Sequence, residues 1–298
     1  MSLKWIFVSP DGRPRSLWRI LLFLVVLIVI FYLVSISLVS YKIIPVQSTF
    51  FFFYISVAIS TYIMLQLIDR RRFSSVGFPA HGKVLYEIVV GFLVGAAMIS
   101  TVAAFELIVG AIKLSFRIDL SFVSHVQNFF LSFLFFGFFA LGEELLFRGY
   151  VYQALIEGIG EVLATILMAV VFGGLHYMNP NATFFSTINT IIAGLWLSVA
   201  YLKTRALYLP FGMHFAWNFL QGYVFSLPVS GLLSSRTLFL PTDFGPNWLT
   251  GGVYGPEGGV GATLVLLLAT VALMLNKHIT PKYNYEKLKE RFESQQIS

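Results

Sequence analysis

The sequence predicts an all-α membrane protein, a polytopic helix bundle of about eight transmembrane helices with both termini on the cytoplasmic side. The chain of 298 residues is 57% hydrophobic and only 11% charged, against about 25% charged for a soluble domain. Its mean hydropathy is +0.81, and several apolar runs approach the roughly 20 residues that cross a bilayer. Because no repeat or soluble segment interrupts this pattern, we expect residues 1–298 to form a single membrane domain.

Eight apolar segments carry this prediction. The first spans about 20 to 40 and has a basic flank like that of a signal peptide. Its apolar run of about 20 residues exceeds the 7–15 of a signal sequence and no A-x-A site follows, so we expect an anchor. The other segments lie at about 49 to 68, 86 to 112, 129 to 147, 162 to 177, 186 to 202, 207 to 226 and 260 to 276.

The positions of the cationic residues predict the orientation. With the N-terminus inside, all but four of the 20 Lys and Arg residues fall on cytoplasmic segments, as the positive-inside rule requires. The four exceptions are Lys42, Lys113, Arg117 and Arg236. We therefore expect an integral, multi-pass protein, with the bacterial cell (inner) membrane as its location. The net charge of +6 is explained by these flanks, so the lipid bilayer is the expected partner and nucleic acid is not.

Several classes of chemistry are excluded by residues that the sequence lacks. The absence of Cys removes disulfides, thiolate nucleophiles and Cys-based zinc sites. There is no Gly-x-Ser-x-Gly, no His-Glu-x-x-His and no P-loop, and no Asp falls inside a predicted span. Any catalysis must therefore use carboxylate, imidazole and carboxamide groups.

The fourth predicted span carries Glu143, Glu144 and Arg148 near its end. Glu144 and Arg148 are four residues apart, with the acid first, which favours an ion pair on one helix face. Glu143 is rotated about 100° away and needs a partner from another helix, as a general base would. The alternative is that both acids pair with Arg148 or lie at the membrane interface.

Two later spans carry further polar groups. His176 and Glu143 lie about 24 and 21 Å from the turn between their helices, so the two side chains can meet at similar depth. His214 and Asn218 stand one helical turn apart on the same face. The alternatives are a His176 that only bonds a backbone carbonyl, and a His214 and Asn218 that only join helices. His214 lies only about 11 Å beyond the preceding turn, which leaves its depth open.

Glu106 and the stretch from about 227 to 259 belong to no motif in the sequence. Glu106 is a lone acid in the third span, which favours a structural or cavity-lining role over a catalytic one. The Gly- and Pro-rich stretch from about 227 to 259 predicts one long external loop. This loop either caps a cavity or only connects two spans.

Three motifs taken in order resemble those of the CPBP family, also called Abi, the CAAX-type and bacteriocin-processing intramembrane endopeptidases. The resemblance covers spans four to seven, about residues 129–226, as the catalytic core. It implies a helical membrane bundle whose cavity opens to the cytoplasm and which cuts peptide bonds of membrane-associated peptides or proteins. The motifs are Glu143-Glu144-x-x-x-Arg148, Phe172-x-x-x-His176 and His214-x-x-x-Asn218.

The resemblance also implies a role for each motif residue. Glu143 would activate water with His176 as its partner, and His214 with Asn218 would stabilise the oxyanion. Glu144 and Arg148 would support them. Glu143, His176 and His214 would also suit a catalytic zinc ion, as in a metalloprotease. We favour the metal-free form and keep zinc as the alternative.

Two other functions compete with peptide hydrolysis at this point. The chain could keep the fold without proteolysis and act in immunity or stress resistance by binding a partner. It could also be a transporter in which Glu106, Glu143 and His176 relay protons. Oligomeric state is not predicted by any feature of the sequence.

Overall fold

The fold is known from a computed structural model that describes residues 7–9, 12–40 and 49–281, without the side chains of residues 36–40. Lys4, Lys42 and the charged tail beyond residue 281, which the orientation prediction uses, lie outside the described residues. The described chain is mostly helical, as expected for a polytopic membrane bundle.

Ten α-helices and two short strands follow one another in the described residues. Two of the helices run on into a π-helical turn, Met64–Asp69 after α2 and Leu220–Val224 after α8. In chain order the elements are α1 (Ser16–Ser40), α2 (Thr49–Ile63), α3 (Val84–Ile108), β1 (Ile112–Phe116), α4 (Phe122–Arg148), α5 (Tyr150–Ile159), α6 (Glu161–His176), α7 (Phe184–Thr204), α8 (Tyr208–Phe219), β2 (Phe239–Asp243), α9 (Asn247–Thr250) and α10 (Val260–Leu275).

Each of the eight predicted apolar segments contains a helix, but their lengths differ. Five helical stretches are long and apolar enough to cross a membrane: Ser16–Ser35, Thr49–Asp69, Val84–Ile108, Phe122–Ile159 and Phe184–Thr204. The shorter apolar helices α6 and α10 have 16 residues each. At 1.5 Å per residue such a helix spans about 24 Å, less than the roughly 30 Å of a hydrocarbon core. A multi-pass membrane protein is confirmed, and the count of eight spans stays a prediction.

Helices α3 and α8 approach each other closely because glycine lies at their contact. A Cβ atom added to Gly91 or Gly95 of α3 would collide with the Leu209 or Met213 carbonyl oxygen of α8. A Cβ atom at Gly212 of α8 would collide with the Ile88 carbonyl oxygen in return. Such small residues let the backbones of membrane helices touch. This contact fixes α8, which carries two of the predicted site residues.

Helices α6 and α7 are joined by a similar contact. A Cβ atom added to Gly194 of α7 would lie 2.9 Å from the Ala169 Cα atom of α6. One added to Gly173 would collide with the Ile191 side chain and lie 3.0 Å from the Thr187 carbonyl oxygen. This contact positions the end of α6 that bears His176.

The basic flank of the first span forms ion pairs with Asp69 and Glu157, and the Arg19 side chain among them is buried. Arg19 contacts Asp69 at 2.7 Å and Glu157 at 2.6 Å, and Arg71 contacts Glu157 at 2.7 Å. Arg13 adds a 3.3 Å contact to Asp69. These pairs link the start of α1 to the end of α2 and to α5. In the sequence, Arg19 and Arg71 are two of the cations that predict the orientation.

A two-stranded antiparallel ribbon departs from the all-α expectation. β1 pairs with β2 in a register that sets Ile112 opposite Asp243 and Phe116 opposite Phe239. The third span was predicted to reach about residue 112, but α3 ends at Ile108 and Gly110 follows with φ of 71°. The strand therefore begins where a continued helix was expected. The ribbon ties the connection between α3 and α4 to the 227–259 loop.

Candidate active site

A cavity of about 340 Å³ lies among α4, α6, α7, α8 and the 227–259 loop. The four residues to which the resemblance gives catalytic roles all line it, one from α4, one from α6 and two from α8. Several apolar side chains share the lining, among them Phe135, Phe136, Phe139 and Trp217. The four predicted residues are Glu143, His176, His214 and Asn218.

Glu144 and Arg148 form the ion pair that their spacing predicts. Arg148 Nη1 donates to Glu144 Oε1 at 3.1 Å, and both side chains are almost fully buried. Arg148 also donates to the Gly194 carbonyl oxygen at 2.9 Å and to Ser198 Oγ at 3.4 Å. Because a buried charge needs partners on every side, Arg148 fixes the end of α4 against α7.

Glu144 also contacts His214, which the sequence reading had not assigned to it. His214 Nδ1 lies 2.8 Å from Glu144 Oε1. An ionised carboxylate only accepts hydrogen bonds, so the Nδ1 proton of His214 is donated to Glu144. The ring is thereby held with Nε2 facing Glu143, whose Oε2 lies 3.6 Å away. The open question of depth is answered, because α8 brings His214 level with both acids.

Glu143 finds its partner from another helix in Tyr54 of α2. The Tyr54 hydroxyl donates to Glu143 Oε1 at 3.2 Å. The distance of 3.6 Å between Glu143 Oε2 and His214 Nε2 is that of an ion pair, longer than a hydrogen bond. One carboxylate oxygen is thus held by the phenol, while the other faces His214. Tyr54 was missed because nothing in the local sequence connects the second span to the fourth.

His176 and Asn218 face the cavity without contacting Glu143. His176 Nδ1 lies 2.7 Å from the Phe172 carbonyl oxygen, and its ring packs against the Phe172 ring at 4.4 Å. Since a carbonyl only accepts, Nδ1 carries a proton, and in the neutral form of the ring Nε2 has the lone pair. The described residues contain no hydrogen bond or ion pair between His176 and Glu143, and none to the Asn218 carboxamide. Both groups line the cavity, half-buried.

The opposite wall of the cavity comes from the 227–259 loop. Val229, Ser230, Glu257 and residues 232–236 line it. Glu257 is partly buried, and desolvation raises the pKa of its carboxyl group. The sequence reading missed Glu257 because a single acid among glycines and prolines looks like part of a connector. The loop therefore contributes a wall of the cavity, which is the first of the two alternatives that the sequence left open.

The position of this wall conflicts with one implication of the family resemblance. The resemblance implies a cavity open to the cytoplasm. The distribution of Lys and Arg instead predicts that the 227–259 loop, with Arg236, lies outside. Residues of that loop line the cavity, and an external loop in this position favours an opening to the external side instead.

The arrangement of the possible metal donors does not favour the zinc alternative. Catalytic zinc sites use three protein ligands around the ion. Within the described ranges no group of three His, Asp or Glu side chains is arranged to hold a metal ion. Glu143, His176 and His214 line one cavity but do not form such a group.

Glu106 lies apart from this cavity. It is buried at 1% exposure, and neither carboxylate oxygen has a hydrogen-bond partner among the described residues. It is not part of the cavity lining. The structure thus shows no link between Glu106 and the two residues with which a proton relay had been considered.

The comparisons with known proteins bear on the same segment. Residues 125–220 match the family model described as type II CAAX prenyl endopeptidase, Rce1-like. Neither the curated proteins nor the solved structures gave a match. The matched range contains all three motifs together with Glu144 and Arg148. The family model therefore matches the central segment of this chain, residues 125–220, which carries the motifs that resemble the CAAX-protease family.

Proposed function

We propose that this chain is an intramembrane endopeptidase that hydrolyses peptide bonds of membrane-associated peptides or proteins. The observation that carries the proposal is the contact of Glu143 with His214 on a cavity that His176 and Asn218 also line. The proposal includes eight spans with both termini inside, and a location in the bacterial inner membrane.

Glu143 is the base in this proposal. Its Oε1 is held by Tyr54, so Oε2 is the oxygen that takes a proton from water in the cavity. The water oxygen forms a bond to the carbonyl carbon of the substrate, and the proton passes to Glu143. Glu143 then returns that proton to the amide nitrogen as the carbon–nitrogen bond breaks. The products are a new carboxylic acid, which loses its proton to solvent, and a new amine.

His214 and Asn218 stabilise the oxyanion that forms on the carbonyl oxygen. As an imidazolium held at Nδ1 by Glu144, His214 donates from Nε2. The Asn218 carboxamide, one helical turn further along the same cavity wall, supplies a second donor. Donors fixed before the reaction stabilise the transition state more than the substrate, and losing one costs about 10²–10³ in kcat.

His176 orients the attacking water. Its Nδ1 is engaged by the Phe172 carbonyl oxygen, which leaves Nε2 as an acceptor for a proton of that water. A ring fixed in one tautomer by a backbone acceptor is a standard way to present the other nitrogen to a reaction. This supports the role of His176 as partner of Glu143 through water rather than by direct contact.

The lining of the cavity supports a substrate that lies in or on the membrane. Phe135, Phe136 and Phe139 of α4 form an apolar wall next to the polar groups. Phe135 is 48% exposed, so this wall also reaches the outer face of the bundle. A peptide bond attached to an apolar segment fits such a site better than a free hydrophilic peptide does.

The test is cleavage by purified protein in liposomes, read out by proteomics of co-reconstituted membrane proteins and peptides. We expect Glu143→Gln to lower the cleavage rate by about 10³-fold or more, since it removes the base. Glu106→Gln is the matched control, because Glu106 is another buried acid in a span but lies outside the cavity. Full cleavage by Glu143→Gln would refute the proposal. So would a Glu143→Gln variant that fully restores a deletion phenotype, since that result would indicate a partner-binding function.

A further inference from the structure

We propose that Glu257 is a positioning residue that holds residues 228–236 in place as a wall of the cavity. The structural part of this proposal stands on contacts alone. Its consequence for substrate binding rests on the proposed peptidase function. Glu257 lies outside the range that matches the CAAX-protease family and outside the three motifs.

The carboxylate of Glu257 is satisfied by three donors from two parts of the fold. Its Oε2 accepts from the Ser230 backbone nitrogen at 2.7 Å and from Ser230 Oγ at 2.6 Å. Its Oε1 accepts from Trp217 Nε1 of α8 at 3.2 Å. A buried carboxylate is tolerated only when it is bonded in this way. Glu257 therefore joins the wall segment to the helix that carries His214 and Asn218.

The backbone at Glu257 is itself fixed to the helix bundle. Asn189 Nδ2 of α7 donates to the Glu257 carbonyl oxygen at 2.8 Å and to the Gly259 carbonyl oxygen at 3.0 Å. Thr263 of α10 donates to Asn189 Oδ1 at 2.7 Å. Because α7 and α10 hold this end of the loop, the carboxylate is a fixed acceptor, and Ser230 is the group that it holds.

Ser230 needs such an acceptor because its backbone is strained. Its φ of 47° lies in the left-handed region, which residues other than glycine rarely adopt. Gly231 follows with φ of 82°, and its nitrogen donates to the Tyr254 carbonyl oxygen at 2.9 Å. Asn179 Nδ2 donates to the Ser230 carbonyl oxygen at 3.1 Å. The two hydrogen bonds that Ser230 donates to Glu257 stabilise a turn that the backbone conformation of Ser230 disfavours.

This turn determines where the wall begins. Val229, on one side of Ser230, packs near Gly222, where the Phe136 ring of α4 also lies. Residues 232–236, on the other side, line the cavity together with Glu143 and His176. If the turn relaxes, the wall moves away from α4 while the catalytic groups on α4, α6 and α8 stay in place. Substrate binding should therefore suffer more than the chemical step, so that KM rises with little change in kcat.

The absence of Cys from the sequence allows a direct test of the wall position. Ser132→Cys places one thiol on the α4 side of the cavity, where Ser132 is 2% exposed. Its rate of reaction with a small maleimide is measured in detergent-purified protein, with and without changes at Glu257. We expect Glu257→Ala to raise that rate about tenfold or more, the factor that a hydrogen bond to a charged group contributes to a local equilibrium.

Two further variants make the result specific. Glu257→Gln keeps an oxygen that can accept from Ser230 but presents an amide nitrogen to the other donors. We therefore expect it to raise the labelling rate by a few-fold. Ser230→Ala removes one of the bonds, and Glu257→Ala combined with Ser230→Ala should label no faster than Glu257→Ala alone, since both changes break one interaction. If Glu257→Ala does not fold, the Gln variant and Ser230→Ala decide the outcome.

Unchanged labelling in all folded variants would overturn the proposal. A labelling rate in the double variant that combines the full effects of both single variants would overturn it as well, because the two residues would then act separately. Glu143→Gln should label at the parent rate, so a lack of peptidase activity leaves this measurement intact. Where cleavage is observed, a fall in kcat with unchanged KM in Glu257→Gln would overturn the predicted effect on binding.

Discussion

Glu144 illustrates how one side chain connects fold and chemistry. It was expected to act as a supporting partner of Arg148, and it does form that ion pair, but the same oxygen also holds His214. We predict that Glu144→Gln lowers kcat by about 10- to 100-fold, as the loss of a group that orients a functional imidazole typically does. The measurement is steady-state cleavage in liposomes, together with thermal unfolding to confirm that the variant is folded.

The control for this prediction is Ser198→Ala, which removes a weaker contact to Arg148 at 3.4 Å and leaves His214 untouched. It should retain nearly full activity. If Glu144→Gln also keeps full activity while remaining folded, the proposed orientation of His214 by Glu144 is wrong.

The residues that the sequence could predict are those with partners within one helical turn or within a known motif. Glu144 with Arg148 follows from their spacing, and the two imidazoles follow from the three motifs. Tyr54 and Glu257 could not be predicted in this way. Tyr54 contacts Glu143 from 89 positions away, and Glu257 lies 27 positions from Ser230. Nothing in the local sequence marks a contact that only the packing of distant elements creates.

At the scale of elements, the close contact between α3 and α8 supports the site, and we expect it to be sensitive to any added side chain. A Cβ atom at Gly95 would meet the carbonyl oxygen of Met213, the residue before His214. We predict that Gly95→Ala destabilises the protein by about 1–3 kcal/mol, the usual cost of overpacking. Because backbone atoms cannot move aside as a flexible side chain can, activity should fall as well. Unfolding in SDS and cleavage in liposomes measure the two effects.

Gly174 of α6 provides the matched control. An added Cβ atom there meets no atom within 4 Å, so Gly174→Ala should be neutral or slightly stabilising. Equal stability of Gly95→Ala and Gly174→Ala would contradict the importance of the close helix contact.

Secondary-structure elements could be predicted from the sequence where they are long apolar runs. The eight apolar runs each became helical, because a continuous apolar run has no other way to satisfy its backbone in a membrane. The β1–β2 ribbon was not predicted. Its strands lie at and after the predicted end of the third span and in the predicted external loop, and their pairing joins residues about 130 positions apart, as Ile112 with Asp243. Local periodicity carries no information on such a pairing.

At the scale of the whole molecule, the side of the membrane that the cavity faces is the point where two lines of reasoning disagree. The positive-inside rule predicts an external 227–259 loop, whereas the family resemblance implies a cytoplasmic cavity. Charge bias acts on this chain directly, through its own flanks. We therefore predict that the loop is external. A single Ser235→Cys should then react with a membrane-impermeant maleimide in intact cells, since Ser235 is exposed.

Gly82→Cys is the opposite probe, because position 82 is exposed, an added side chain there meets no atom, and it lies in a segment predicted to be cytoplasmic. It should react only after the cells are opened. Labelling of Gly82→Cys but not Ser235→Cys in intact cells would reverse the orientation and restore a cytoplasmic cavity. If the loop is external as expected, we further predict that substrates reach Glu143 from the outer face, past the wall that Glu257 holds. In that case, a substrate anchored in the outer leaflet should be cut in intact cells, and one confined to the inner leaflet should not.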